Sequence, residues 1–394
     1  FEIYRDHSLQ RFGKESEDYM LPDCFGFPAF VPSVLAHTGV KGFSTQKLTW
    51  RSAVGIPFNV GKWIGPDGRF VVGALNPGAY VSKLRNDLSH DTYWLDRTQA
   101  MGKQTGFYAD FKYFGTGDQG GAPDDESASW MQKSVDGDGP LCVRAAGSDD
   151  IFQEVPNYSI DKMTTHTGDM LLIEHSAGSL TSQAYIKRWN RKNELLADNA
   201  ERASLIADWF GAIKYPTLRM RDIWYLILGG QMHDILPGTS IPKAYEFSWN
   251  DAVLALNNSA DVEENAVGAA AMLLDTNVSG QPVVLYNPLS FDREDLAHAT
   301  VKFGAKAPAA ARVFNAKGEE VPSQIVKKSA AGIEVIFLAK VPSVGFAVYD
   351  VRPAAKPSEL KTGLSAKGNT IENNRFRVTI DGSGDVSSVY DKSA

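Results

Sequence analysis

Three short segments hold side chains able to do acid–base, nucleophilic or metal chemistry. In Leu21-Pro22-Asp23-Cys24-Phe25-Gly26-Phe27-Pro28 a single carboxylate stands among apolar and aromatic residues, before a glycine that lets the backbone turn tightly. A carboxylate so flanked is costly to bury unless it is paired. Alone, the segment reads first as a strand-end turn whose aspartate caps the next helix. In Gly230-Gln231-Met232-His233-Asp234-Ile235-Leu236-Pro237-Gly238-Thr239 a histidine beside an aspartate sits in a loop bounded by Gly and Pro. Neutral imidazole there can ligate a metal, and a packed histidine at a capped helix end fits the same pattern. In Tyr113-Phe114-Gly115-Thr116-Gly117-Asp118-Gln119-Gly120-Gly121-Ala122-Pro123 the glycines imitate a phosphate cradle. That motif needs a helix directly behind it, which Ala122-Pro123 does not supply, so a turn holding Asp118 out into a cleft is the better reading.

The elements that must position these residues follow from periodicity. Tyr19 to Gln46 predicts a βαβ pattern: a short apolar strand, the Asp23 turn, a helix over Phe30 to His37, Gly39, and a strand over Gly42 to Gln46. Catalytic groups in such units collect where strands end at their carboxyl side, as Asp23 does. Trp63 to Leu75 predicts a hairpin around Pro66-Asp67-Gly68, and Phe107 to Phe114 an aromatic strand. Apolar residues from Tyr185 to Phe210, spaced by three, four or seven, predict an amphipathic helix capped by Thr181 or Ser182. A second helix spans Thr217 to Leu228 and ends at Gly229-Gly230, and a third starts near Pro242; the three predict an antiparallel bundle. Beyond Gly280, β-branched and aromatic runs at Val283 to Tyr286, Ala299 to Phe303, Ile333 to Leu338 and Phe346 to Val351 predict a β-domain. Pro353 to Gly368 reads as a linker before strands at Arg375 to Asp381 and Ser387 to Asp391. The expected class is multidomain α/β, α and β. The expected domains are 1–160, an α/β catalytic portion resembling part of a barrel; 161–279, a three-helix bundle carrying the His233 loop; 280–355, a β-domain; and 356–394, a linker and the first strands of a further β-sandwich.

Composition narrows the partners. The chain has 394 residues, 43% hydrophobic and 22% charged, an ordinary globular balance. Its net charge of −7, from 47 acidic and 40 basic residues spread along the chain, gives no footprint for nucleic acid. No run approaches the roughly 20 apolar residues of a spanning helix, so we expect no membrane partner. Cys24 and Cys142 are too few for a disulfide framework, are expected to be free thiols, and leave the compartment open.

The three segments, in this order, resemble motifs of the family 38 glycoside hydrolases, the α-mannosidases. The stretch Met20 to Trp50, including Gly42-Phe43-Ser44-Thr45-Gln46-Lys47-Leu48-Thr49-Trp50, is similar to the family's nucleophile strand and the strand after it; His233 to Thr239 resembles its metal-binding loop. Thr181-Ser182-Gln183 to Asn190-Arg191 and Asn287-Pro288-Leu289 extend the likeness over nearly the whole chain, in the form of the bacterial members. The resemblance implies a retaining exo-α-mannosidase acting on mannose-containing oligosaccharides, with zinc or another divalent cation, and a homo-oligomer is compatible with it. It implies that Asp23 is nucleophile and metal ligand, His233 a further ligand, Phe25 the aromatic beneath the sugar, Asp234 a sugar contact, and Asp118 the general acid/base. Lys47 stands where some members have an arginine, and lysine lacks the planar fork for bidentate contact. Tyr80, after Asn76-Pro77-Gly78, is expected at the site. His175, in Leu172-Ile173-Glu174-His175-Ser176, reads as a cleft residue or a packed strand-end histidine, and Lys187-Arg188 with Arg191-Lys192 as the solvated face of a helix.

A retaining glycosidase needs two carboxyl groups about 5 to 5.5 Å apart, one attacking the anomeric carbon and one arriving protonated. The family draws two further metal ligands from a His-x-Asp motif near the start of its catalytic domain, and none occurs upstream of Asp23. With Phe1 rather than Met first, we expect an upstream segment to supply it, and expect this piece alone to bind metal weakly and to be inactive. The competing readings are a non-hydrolytic carbohydrate-binding or phosphorylase-like protein and a metal-dependent polysaccharide deacetylase.

Overall fold

The computed structural model describes residues 2–118, 120–304, 307–329 and 332–394, so Gln119 of the glycine-rich loop lies outside the described residues. The chain forms two compact units, one of residues 1–187 with 231–245, the other of 188–230 with 246–394. This grouping places the His233 loop with the first unit.

The first unit is built on a five-stranded mixed sheet. Its strands, with the short pair β2–β7, are β1 (Asp18–Met20), β2 (Gly26–Phe27), β3 (Gly42–Ser44), β4 (Val60–Ile64), β5 (Phe70–Ala74), β6 (Thr165–Thr167) and β7 (Met170–Leu171). The sheet order is β1-β3-β5-β4-β6. Strands β1, β3 and β5 are mutually parallel, with Asp18 opposite Gly42 and Gly42 opposite Val72. Because parallel strands end on one edge, the loops after Met20, Ser44 and Ala74 emerge side by side. Those loops carry Asp23, Lys47 and Tyr80.

The helix between β1 and β3, Val31–His37, starts with a proline in its first turn and is capped by Phe30 without a side-chain bond. Asp23 therefore does not cap it. Under the sheet, Phe27 and Phe43 meet edge to face at 5.0 Å, Phe43 and Trp63 lie 5.0 Å apart, and the Trp63 indole donates to the Gly168 carbonyl. The hairpin read from Pro66-Asp67-Gly68 is the antiparallel pair β4–β5.

Phe107 to Phe114 is not a strand. Its residues are held by side chains instead. Arg97, on the helix Thr92–Thr105, makes a bidentate pair with Asp110 at 2.7 and 2.9 Å, both side chains nearly buried, and also donates to the Asn76 carbonyl. The Tyr113 amide donates to the Pro77 carbonyl. One guanidinium thus ties together the approaches to Tyr80 and Asp118. The next helix is Asp125–Val135, capped by Asp124.

Within the first unit Asp18 is buried on β1, and Ser44 Oγ donates to its Oδ2 at 2.6 Å, while among the described residues Oδ1 and the buried Tyr113 hydroxyl have no hydrogen-bond partner. Burial pushes the Asp18 carboxyl up to about 7, the nearby Asp149 charge adds to this, and bonds from Ser44 and Ser148 oppose it. Below the ordinary carboxylate range both folded and unfolded chains hold this proton. Between there and pH 7 only the folded chain does, so the unfolded chain binds fewer protons and stability falls as pH rises. The shift corresponds to roughly 4 kcal/mol at most, at ~1.4 kcal/mol per unit. Asp18→Asn is expected to flatten the fall in melting temperature between pH 4 and 7; an unchanged slope would assign it to other groups.

The second unit contains helical and β parts. The helices Ala184–Trp209, Thr217–Gly230 and Pro242–Ala271 start and stop near the predicted positions, although the second runs through both glycines. Ala197 and Ala200 of the first pack with Met220, Ile223 and Ile227 of the second and Ala255 and Val262 of the third. Among the described residues the β part has seven strands in two sheets: β8 (Gln281–Asn287), β9 (Arg293–Val301), β10 (Ala310–Phe314), β11 (Glu320–Val321), β12 (Ser323–Ser329), β13 (Gly332–Val341) and β14 (Gly345–Ala354). Their orders are β11-β10-β14-β8 and β12-β13-β9, around a core of Val313, Val335, Phe337 and Val351. A four-stranded antiparallel sheet follows within 365–391, taking the end of the predicted linker into a strand at Ser365–Lys367. Among the described residues no helix is long and apolar enough to cross a membrane.

Candidate active site

Asp23 and Lys47 meet at the shared edge of β1 and β3. The Lys47 ammonium bonds Asp23 Oδ1, and the Lys47 side chain is only 3% exposed against 17% for Asp23. A buried ammonium needs such a partner. It also lies over the Trp50 ring at 3.6 Å and the Phe25 ring at 5.3 Å, an aromatic cage that fixes a flexible side chain. Phe25, expected beneath a sugar, thus flanks the carboxylate. His175 packs edge-on against Trp50 at 4.2 Å and lies 6.1 Å from Phe25, so it belongs to the site rim while staying exposed. Burial first, and then the Lys47 charge, lower its pKa, with Asp23 opposing.

The third loop brings Tyr80. Its hydroxyl donates to Asp118 Oδ1 at 2.7 Å. Burial, then hydrogen bonding to Asp118 and to Asp23, hold that hydroxyl well above the usual phenol range. The phenol thus bonds Asp118 and feels the Asp23 carboxylate nearby. Asp118 adopts φ 63°, a left-handed conformation that aspartate tolerates better than most residues and that turns its side chain back toward Tyr80.

The His233 loop closes the other side. His233 Nε2 lies 3.7 Å from Asp23 Oδ2 and 3.9 Å from Asp234 Oδ2. Asp234 is oriented by Thr239, whose hydroxyl donates to its Oδ1 at 2.7 Å, while the amides of Thr239 and Ser240 donate to its carbonyl. Two ligands sharing a tetrahedral ion at about 2.1 Å would stand roughly 3.4 Å apart, so the Asp23–His233 spacing suits an ion between them. Among the described residues no group of three or more His, Cys, Asp or Glu is disposed to hold a metal. The donor set fits an ion in part, one ligand short of the usual three.

All the residues singled out in the sequence, Asp23, Phe25, Lys47, Tyr80, Asp118, His233 and Asp234, thus lie around one place in the first unit. Trp50 was missed, although its position three residues after Lys47 was a usable signal for a caged cation. Lys187 was misread: it does not sit on a solvated face but folds onto backbone carbonyls beside the His233 loop. Ser182 also departs from its expected cap role, its hydroxyl donating to the Pro237 carbonyl at 2.7 Å. Both Cys24, half-buried, and Cys142 are free thiols.

Residues 5–169 match the model of the glycosyl hydrolases family 38 N-terminal domain, and 174–269 that of the alpha mannosidase middle domain. Alpha-mannosidase 2C1 of Mus musculus is 26% identical over 393 residues, covering 97% of this chain and 34% of its own length. The Alpha-mannosidase of Saccharomyces cerevisiae is 28% identical over 264 residues, covering 64% of this chain and 23% of its own. An alpha-mannosidase from Enterococcus faecalis V583 has a similar fold, with a TM-score of 0.75 at 17% identity over 98% of this chain and 49% of that one. The chain thus spans about a third of the mouse relative's length and half of the solved structure's. Two domain models of one enzyme family, matched consecutively, agree with relatives named as α-mannosidases and with the fold, and the chain belongs to glycoside hydrolase family 38.

Proposed function

We propose that this chain carries the core of a retaining exo-α-mannosidase active site. The observation that supports the reading most directly is the Asp23 carboxylate held by Lys47 and facing His233 Nε2 at 3.7 Å, with a second carboxyl group, Asp118, bonded to Tyr80 of the neighbouring loop, as double displacement needs two such groups. Asp23 attacks the anomeric carbon while Asp118 protonates the leaving oxygen. Asp118 then takes a proton from water as that water displaces Asp23. Lys47 holds the Asp23 carboxylate in place through Oδ1, while Oδ2 faces His233. Phe25 offers an apolar face to the ring, and Asp234 and Tyr80 hydrogen-bonding groups to its hydroxyls.

The proposal includes a divalent cation, zinc by preference, held by Asp23 and His233 with at least one donor from outside the described residues. Such an ion, when bound, would supply a Lewis acid for the vicinal hydroxyls of mannose. Hydrolysis should therefore be measured with the full-length protein and added metal. The expected result, followed by proton NMR on p-nitrophenyl α-mannoside, is α-mannose as the first product. β-Mannose first would overturn the retaining mechanism, and acetate release from acetylated glycans without mannose release would favour the deacetylase reading.

A further inference from the structure

We infer that Lys187 is a positioning residue that clips the His233–Asp234 loop to the start of the first long helix. An ammonium has three donors and no acceptor, and here three backbone carbonyls surround it: Ser182 at 2.6 Å, Leu236 at 3.0 Å and Pro237 at 3.3 Å. The last two belong to the loop, two and three residues beyond Asp234. Ser182 adds a hydroxyl bond to the same Pro237 carbonyl. Gly238 completes the seat: its φ of +88° disfavours a side chain, and a Cβ there would stand 2.6 Å from Ser182 Oγ. Within the first unit, two segments some fifty residues apart in sequence, the start of the helix and the His233 loop, are thus joined through one cation. Removing it would leave three carbonyls short of a strong donor and free the loop to shift.

The consequence for catalysis rests on the mannosidase reading above, whereas the clip itself does not. Lys187→Met in the full-length protein is expected to lower kcat/KM for an α-mannoside by about 10²-fold, the cost of a displacement of about 1 Å in a positioned group. Hydrogen exchange at the Thr239 and Ser240 amides, which bond the Asp234 carbonyl, is expected to speed up by about tenfold or more, with β3 and β5 unchanged. Lys187→Arg, which keeps charge and donors, should recover about tenfold of the activity. If Lys187→Met does not fold, Ser182→Ala, which removes only the hydroxyl bond, carries the same test with a smaller effect in both readouts. Unchanged exchange in the loop would overturn the clip. Faster exchange with unaltered kcat/KM would overturn its positioning role. A wild-type protein without mannoside turnover would overturn the mannosidase reading instead, leaving exchange to decide the clip.

Discussion

Asp23→Asn in the full-length protein is expected to reduce α-mannoside hydrolysis by about 10⁴-fold or more, the scale on which covalent catalysts lose rate when the nucleophile is removed. The variant also strips the partner from the Lys47 ammonium, whose side chain is almost wholly buried. Breaking a buried pair on one side costs on the order of 3–5 kcal/mol, so lost activity alone would not separate chemistry from unfolding. Two measurements do. The double variant Asp23→Asn with Lys47→Met removes the orphaned charge and should regain much of the melting temperature while staying inactive. In the wild-type protein, a fluorinated mannosyl fluoride that forms the glycosyl-enzyme quickly and releases it slowly should leave its sugar on the peptide containing Asp23. A label on any other carboxylate would remove Asp23 from the nucleophile's role.

How far these residues could be read from sequence depended on whether local pattern or distant packing decides each of them. Asp23 and the β1–β3 framework were legible because a short apolar strand, a Gly-bearing turn, a helix starting on proline and a second strand are local signals. The parallel register then brings Lys47 and Tyr80 to the same edge as Asp23 without further instruction. Phe107 to Phe114 misled because aromatic richness reads as strand, whereas the Arg97–Asp110 pair and ring packing such as Phe111 against Tyr113 hold this segment outside any sheet. The strand Ser323–Ser329 went unread for the opposite reason: on the outer edge of its sheet it exposes Gln324, Lys327 and Lys328, so no apolar alternation marks it. Lys187 could not be found from its cationic neighbours, since the carbonyls that claim it lie at Ser182, only five residues away, and at 236–237, some fifty residues on.

The general acid is tested by its dependence on the leaving group. Asp118 is exposed on its loop, so Asp118→Ala removes a carboxyl and one hydrogen bond from Tyr80 without opening a core. For a poor leaving group such as another sugar, loss of proton donation is expected to lower kcat/KM by about 10²–10⁴-fold. Dinitrophenolate departs without a proton, so with that aglycone the first displacement should proceed at nearly the wild-type rate, and the slow step should become hydrolysis of the glycosyl-enzyme, which lacks its base. A burst of dinitrophenol follows from this, as does acceleration by azide, an anion that attacks without needing deprotonation and should yield α-mannosyl azide. Equal loss on both aglycones, with no burst and no azide product, would mean that Asp118 only orients Tyr80 and that another group delivers the proton. Tyr80 cannot readily take that part, because its hydroxyl, raised by burial and by two carboxyl neighbours, holds its proton too tightly to give it up near neutral pH.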